Sequence, residues 1–242
     1  MNNFGIREFK KSWLNKEKIT HSFSKSATTY HEWALPQDEV AKHLASFVSE
    51  KLSFKNILDA GCGTGFLTKY IFLQNKSLNI TGLDISHEML KVYSHINPQI
   101  VLGDLENLQF EDASFTHCLS SFSLHWTNIE KSLPEIIRVT NKSISIALPI
   151  EGSLNNFNFP FPKKKLVLDL LEDNGVHIEK IKLEKLKIPF TGLDLIKYFH
   201  YTGTSYNPTR EGLMNINTLK SLVEQLNKKE PFYNILYLSC NK

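Results

Sequence analysis

Between Ser53 and about Leu148 the chain alternates short apolar runs with stretches of helical periodicity. The runs are ILDA, NITGLD, IVLGD, FTHCLSSF and SISIAL, and each is short enough to be a buried strand. Strands alternating with amphipathic helices predict a doubly wound, mostly parallel sheet. Before Lys51 the pattern is helical: Val40, Leu44, Phe47 and Val48 form one stripe, with Pro36 in an early helical turn. Past Pro149 the alternation resumes with a helix over 163–171, a stop at Asp173, Asn174 and Gly175, and a strand over 181–188. A helical stretch broken by Gly203, Pro208 and Gly212 then precedes a last strand over 233–240. The expected layout is one domain over 1–242: a helical arm (1–50), a sheet core (53–190 and 232–242) and a helical cap (191–231).

The run ILDA ends in an acid and is followed by GCGTGF, with glycines at 61, 63 and 65. Strand, tight turn and helix follow from this order, and bare backbone in the turn allows a ligand to approach closely. The amides that open the next helix favour electron-rich ligand atoms. A dinucleotide fingerprint needs its third glycine where Phe66 stands, and Asp59 is misplaced beside a pyrophosphate but suits a cationic amino-acid ligand.

Composition narrows the rest. The 242 residues, 41% hydrophobic and 22% charged, suit one substantial globular domain with appendages. The opening MNNFGIREFKKSWLNKEK lacks the apolar core of a secretion signal and no later run approaches a membrane span, so a cytoplasmic protein without a membrane partner is expected. Cys62, Cys118 and Cys240 are odd in number and far apart, which suits neither disulfides nor a four-ligand zinc site, and no metal is expected. A net charge of +3 does not point to nucleic acid.

Polar residues fall where the strands should end. Asp84 lies about 20 residues beyond the turn, where an acid can accept from both hydroxyls of a ribose; the alternative is a capping role shared with Ser86. Asp104, in LGDLENL, can accept from an adenine amino group with Leu105 as an apolar contact, or be a solvated loop acid. After the fourth strand, SSFSLHW offers Ser120 and Ser121 to the ligand, with His125 and Trp126 as walls of the cleft; His125 is a candidate general base or a group that orients backbone.

The glycine turn resembles motif I of the class I S-adenosylmethionine-dependent methyltransferases. The chain as a whole resembles the malonyl-acyl carrier protein O-methyltransferases of biotin synthesis, through FSKSATTYHEWALPQ (23–37), IEGSL (150–154) and HYTGTSYNPTREGLMNINTLKSLVEQL (200–226). That resemblance implies a seven-stranded sheet whose antiparallel last strand inserts beside its neighbour. It implies S-adenosylmethionine as cofactor, held by Asp59, Gly61, Cys62, Gly63, Asp84, Ile85, Asp104, Leu105 and Ser120, and malonyl-acyl carrier protein or malonyl-CoA as partner. Tyr30, His125 and Arg210 are the implied catalytic candidates, Arg210 because NNFNFPFP lacks the arginine the family tends to place after GSL. Rival readings are a methyltransferase for another small acceptor, a nucleic-acid methyltransferase, for which SSFSLHW lacks the expected motifs, and a non-catalytic binder of the same fold.

Overall fold

The computed structural model describes residues 15–49, 56–154, 159–206 and 230–242. Three helices come first: α1 (Lys16–Ser26), α2 (Tyr30–Trp33) and α3 (Leu35–Phe47). The alternating core follows as β1 (Asn56–Ala60), α4 (Phe66–Gln74), β2 (Asn79–Asp84), α5 (His87–Tyr93), β3 (Ile100–Leu102), β4 (Phe115–Ser121), α6 (Ile129–Val139) and β5 (Thr140–Pro149). Then come α7 (Lys164–Asp173), β6 (His177–Lys187), α8 (Gly192–Tyr201) and β7 (Phe232–Asn241).

The strands form one seven-stranded sheet in the order β3-β2-β1-β4-β5-β7-β6. Strands β1 to β5 pair in parallel, and β7 enters antiparallel between β5 and β6. The expected doubly wound sheet with an inserted last strand is therefore borne out. The chain winds outward from β1 to β3 and then returns to the other side of β1. A crevice opens at such a reversal, outside the carboxyl ends of β1 and β4.

Period-two alternation decides what each strand gives to each face. In β1, Ile57 packs with α3 and α4 on one side, through Leu44, Leu67 and Ile71, while Leu58 and Ala60 pack with α6 on the other, through Leu133 and Ile137. Asp59 therefore shares the Ile57 side and meets α4. Local chemistry sets the helix starts: Asn15, Ser86 and Asn128 cap α1, α5 and α6 by accepting from Lys18, Met89 and Glu130 amides. Pro36 sits in the first turn of α3, as expected.

Three boundaries differ from the sequence reading. Strand β6 begins at His177, earlier than 181, because it is an edge strand whose lysines and glutamates face solvent and dilute the apolar signal. Strand β5 takes in Thr140, Asn141 and Lys142 ahead of SISIAL. The cap is described from Gly192 to Tyr206, and the remainder of the expected 191–231 segment, with Arg210, lies outside the described residues apart from 230 and 231.

One glycine in the sheet is required by packing. A Cβ at Gly82 would overlap the ring of Tyr93, a fully buried side chain, with its hydroxyl oxygen 2.7 Å away. Tyr93 cannot rotate out without leaving a void against β2. Gly82→Ala is expected to lower stability by about 1–3 kcal/mol, the usual cost of an overpacked core, and chemical denaturation reads this directly; an unchanged midpoint would show that Tyr93 has room to move.

Candidate active site

The backbone of the glycine turn folds as the sequence requires. Gly61, Gly63 and Gly65 all have positive φ, at 74°, 52° and 97°. The amides of Gly61 and Cys62 both donate to the carbonyl of Leu83, at 2.8 and 2.9 Å, which ties the turn to the end of β2. A Cβ at Gly61 would overlap Ser123 Oγ, whereas one at Gly63 would meet nothing within 4 Å. Gly61 is thus a packing glycine, and Gly63 leaves the turn open toward the cleft.

Two carboxylates close this turn from either side. Asp84 Oδ2 accepts from the Gly63 amide at 2.9 Å and Oδ1 from the Ser86 amide at 2.8 Å, so both proposed roles of Asp84, structural and ligand-facing, meet at one group with lone pairs to spare. Asp59 is 1% exposed, and its Oδ2 accepts from Thr68 Oγ1 at 2.7 Å. Thr68 Oγ1 in turn lies 2.9 Å from Tyr93 Oη. Among the described residues, neither acid meets a cation at ion-pair distance. Burial raises the pKa of Asp59 to about 7, opposed by the Thr68 hydrogen bond and reinforced by Asp84. Burial likewise raises Asp84, against hydrogen bonds from the Ser86, Gly63 and Ile85 amides.

These groups line an open cleft at the carboxyl ends of β1, β2 and β4. Asp59, Gly61, Cys62, Gly63, Asp84, Ile85, Asp104, Leu105 and Tyr30 all line it. Tyr30 stands 6.0 Å from the ring of Phe66, and burial raises its phenol pKa, so it remains a proton donor. Cys62 is buried and its thiol is likewise raised by burial, which makes it packing and not a nucleophile.

Two sequence-predicted residues do not reach this cleft. Ser120 spends its hydroxyl on the carbonyl of Ala60 at 2.9 Å and on Ser123, and Ser121 lines the cleft in its place. His125 sits behind the wall, 4% exposed, among Phe122, Trp126, Phe159 and Phe161, on a smaller cavity of about 250 Å³. Burial alone lowers its pKa to about 3, so it is a neutral member of an aromatic wall and a poor base.

Other lining residues were missed. Lys16 of α1 reaches across the mouth to Asp104 Oδ2 at 2.5 Å and Glu106 Oε2 at 2.8 Å. Burial works against its charge, but the bonds to Asp104 and Glu106 prevail and raise its pKa. Thr64 Oγ1 and Ser121 Oγ are buried on the cleft without a hydrogen-bond partner among the described residues, the condition of groups that await a ligand. Gln37, Phe23 and Thr127 complete the wall. Of these, Thr64, inside the glycine turn, and Ser121, offered to the ligand by SSFSLHW, had a signal in the sequence.

The fold and the cleft together define a methyltransferase domain, and residues 58–146 match the family model described as "Methyltransferase domain". The sequence narrows this further. The malonyl-[acyl-carrier protein] O-methyltransferase of Buchnera aphidicola is 33% identical over 176 residues, which are 70% of this chain and 69% of that protein. That of Herminiimonas arsenicoxydans is 26% identical over 95% of this chain and 97% of its own length. The chain belongs to the malonyl-[acyl-carrier protein] O-methyltransferase family. Matches to the members from Ilyobacter polytropus, Erwinia billingiae and Pectobacterium atrosepticum span 36%, 51% and 58% of those proteins. Among solved structures, a putative methyltransferase from Bacillus halodurans superposes with a TM-score of 0.61 at 15% identity, covering 82% of this chain and 98% of its own. A geranyl diphosphate C-methyltransferase from Streptomyces coelicolor, in complex with S-adenosyl-L-homocysteine, gives 0.52 at 14% identity, covering 81% and 77%. Both likenesses are of fold.

The raised Asp59 pKa makes the free protein pH-dependent. A carboxyl raised from the ordinary 3.8 to about 7 favours folding fully below the lower value. That contribution fades as pH rises toward the upper value, on the order of 4 kcal/mol between the limits. Without ligand, the chain should melt at a lower temperature at pH 8 than at pH 5. Asp59→Asn, which keeps an acceptor for Thr68, should narrow that difference without abolishing it, since Asp84 is shifted in the same direction. An equal difference in both proteins would mean that Asp59 ionises freely.

Proposed function

We propose that the protein transfers a methyl group from S-adenosylmethionine to the free carboxylate of a malonyl thioester, giving the methyl ester and S-adenosylhomocysteine. The observation that carries this reading is a buried carboxylate, Asp59, and a half-buried one, Asp84, on an open glycine turn with no cation at ion-pair distance among the described residues, in a chain of this family. An acid that meets no cation among the described residues suits a ligand that brings its own positive charge, and the residues present fit that cofactor. Asp59 is suited to its ammonium group, directly or through water, and Gly61, Cys62 and Gly63 to its methionine and ribose. Asp84 is the acceptor for the ribose hydroxyls. Ile85, Leu105 and Asp104 offer apolar contacts and one acceptor to adenine. S-Adenosylmethionine supplies an electrophilic methyl on a sulfonium.

The substrate carboxylate is ionised at neutral pH, so the protein needs no general base. This agrees with a neutral, buried His125. What the chain contributes is alignment of the reacting groups and exclusion of water. Tyr30, a protonated phenol on the cleft, is our candidate for orienting the acceptor oxygen. Arg210 is the candidate carboxylate anchor, because a guanidinium fixes both oxygens of a carboxylate. Lys163, Lys164 and Lys165 are candidates for docking an acidic carrier protein; Lys165 is exposed and paired with Asp169 at 2.7 Å.

The decisive test is mass spectrometry of malonyl-acyl carrier protein after incubation with enzyme and cofactor. One added methyl is expected, and none on carrier loaded with a neutral acyl group. Methylation of other small acids but not of malonyl thioesters would favour a different acceptor; cofactor binding without any methyl transfer would favour a binding protein.

Asp84→Asn should weaken S-adenosylhomocysteine binding by roughly ten- to a hundredfold, the effect of about 1.5–3 kcal/mol for a bond to a charged acceptor. Calorimetry at matched melting temperature measures it, and an unchanged affinity would remove Asp84 from the ribose. Arg210→Ala should lower kcat/KM by a factor corresponding to roughly 2–5 kcal/mol while leaving cofactor affinity intact. Lysine at that position should rescue in part. Wild-type turnover in Arg210→Ala would place the anchor elsewhere.

A further inference from the structure

A second cluster of chemistry-bearing side chains lies away from the cleft, where α3 crosses the β6–β7 edge of the sheet. Glu39 and His43 are four residues apart on α3 and so share one helix face. Glu184 projects toward them from β6. One ligand atom from each of the three lies within 4.8 Å of the others. His43 Nδ1 and Glu184 Oε1 are 3.1 Å apart, close to the roughly 3.3 Å edge of a tetrahedron built on zinc–nitrogen and zinc–oxygen bonds of about 2 Å.

A further observation points to a ligand here. His43 Nδ1 is shielded from solvent and, despite its proximity to Glu184, has no partner in hydrogen-bonding geometry among the described residues. Beneath the cluster, Tyr237 is 1% exposed. The ring of His43 lies 6.5 Å from that of Tyr237. A buried aromatic side chain thus underlies the imidazole of the cluster.

Glu184 is also oriented as a metal-binding carboxylate often is. Its Oε2 accepts from Lys182 Nζ at 2.6 Å, while Oε1 faces His43. A second hydrogen bond of this kind fixes the rotamer of a carboxylate and leaves the other oxygen to the metal. Lys182 also stands 5.3 Å above the ring of Tyr237, so its ammonium is held to one side of the cluster.

We propose that Glu39, His43 and Glu184 bind a divalent ion of the zinc type, with one imidazole nitrogen and two carboxylate oxygens as ligands and water completing the shell. One imidazole and two carboxylates suit zinc better than calcium or magnesium, which prefer all-oxygen shells. The ion would tie α3, whose Gln37 lines the cleft, to strands β6 and β7, the latter carrying the Tyr233 that lines the smaller cavity. Its role is a clasp that sets the distance between two walls of the site, and it takes no part in methyl transfer.

The test uses the full chain, freed of any affinity tag, stripped with chelator and dialysed against zinc sulfate. One tightly held zinc per chain is expected by elemental analysis, with a rise in melting temperature that chelator reverses. His43→Ala and Glu184→Gln should each weaken zinc binding at least tenfold. Glu39→Gln, on an exposed position that cannot unfold the chain, should weaken it in the same direction. Cobalt in place of zinc should give visible d–d absorption that His43→Ala removes. Failure to bind stoichiometric zinc, or binding equally tight in His43→Ala and Glu39→Gln, would overturn the proposal and leave an ordinary histidine–glutamate contact.

Discussion

The constraint on which the rest of the cleft depends is the withdrawal of two carboxylates from water, Asp59 fully and Asp84 in part, with no cation at ion-pair distance among the described residues. An ionised acid removed from water is costly unless it is paired or hydrogen-bonded. The chain offsets that cost with donors: Thr68 Oγ1 for Asp59, and the backbone amides of Gly63, Ile85 and Ser86 for Asp84. Those donors fix the geometry around them. Thr68 must begin α4 within reach of β1, and Gly63 must turn its amide toward β2. The glycine turn is therefore held in shape by the acids that a ligand would meet, and an electropositive ligand would complete an arrangement that the free protein leaves short of charge.

This has a consequence for packing away from the cleft. Tyr93 comes within hydrogen-bonding distance of Thr68 only because Gly82 has no side chain, so a residue in the middle of β2 controls the environment of an acid at the end of β1. Asn97 adds a second contact to the Tyr93 hydroxyl at 3.3 Å. Polar groups linked in this way polarise one another and stand or fall together. The order Gly82, Tyr93, Thr68, Asp59 passes from sheet to helix to helix to sheet, and it is why α4 and α5 are both part of the site although neither contributes a charged group to it.

How much of this was legible in the sequence follows from the range of each interaction. The β1–turn–α4 unit, the Ser86 cap and the alternation of strands and helices are local, and all could be read from neighbouring residues. Strand β6 was read short because an edge strand has one protected face, and HIEKIKLEKLK carries too little apolar alternation to announce its start. The choice between Ser120 and Ser121 turns on strand parity, since one residue of slip exchanges the faces, and two adjacent serines give no clue. The burial of His125 depends on Phe159 and Phe161, more than thirty residues later. Lys16 was one lysine among many until the fold placed α1 across Asp104 and Glu106.

That placement explains how a largely buried cleft can exchange its contents. The arm is held over the mouth by contacts that are individually weak. Lys16 pairs with two acids while substantially exposed, and such pairs are worth about 0–1 kcal/mol in water. Ser24 meets Ser86 at 2.9 Å, and Phe23 packs edge-on against Trp126 at 5.4 Å between centroids. The sheet below is of another order of strength, with seven strands in register and both faces covered by apolar side chains. Local opening draws on the least stable parts of a structure. Lifting α1 would break these contacts and expose its buried Ile19 and Ser26, but would leave the hydrogen bonds of Asp59 with Thr68 and of Asp84 with Gly63 in place. The pairing of Lys16 with Asp104 then has a second meaning: the arm occupies an acceptor proposed for adenine, and ligand and arm must share that carboxylate whenever the mouth is closed.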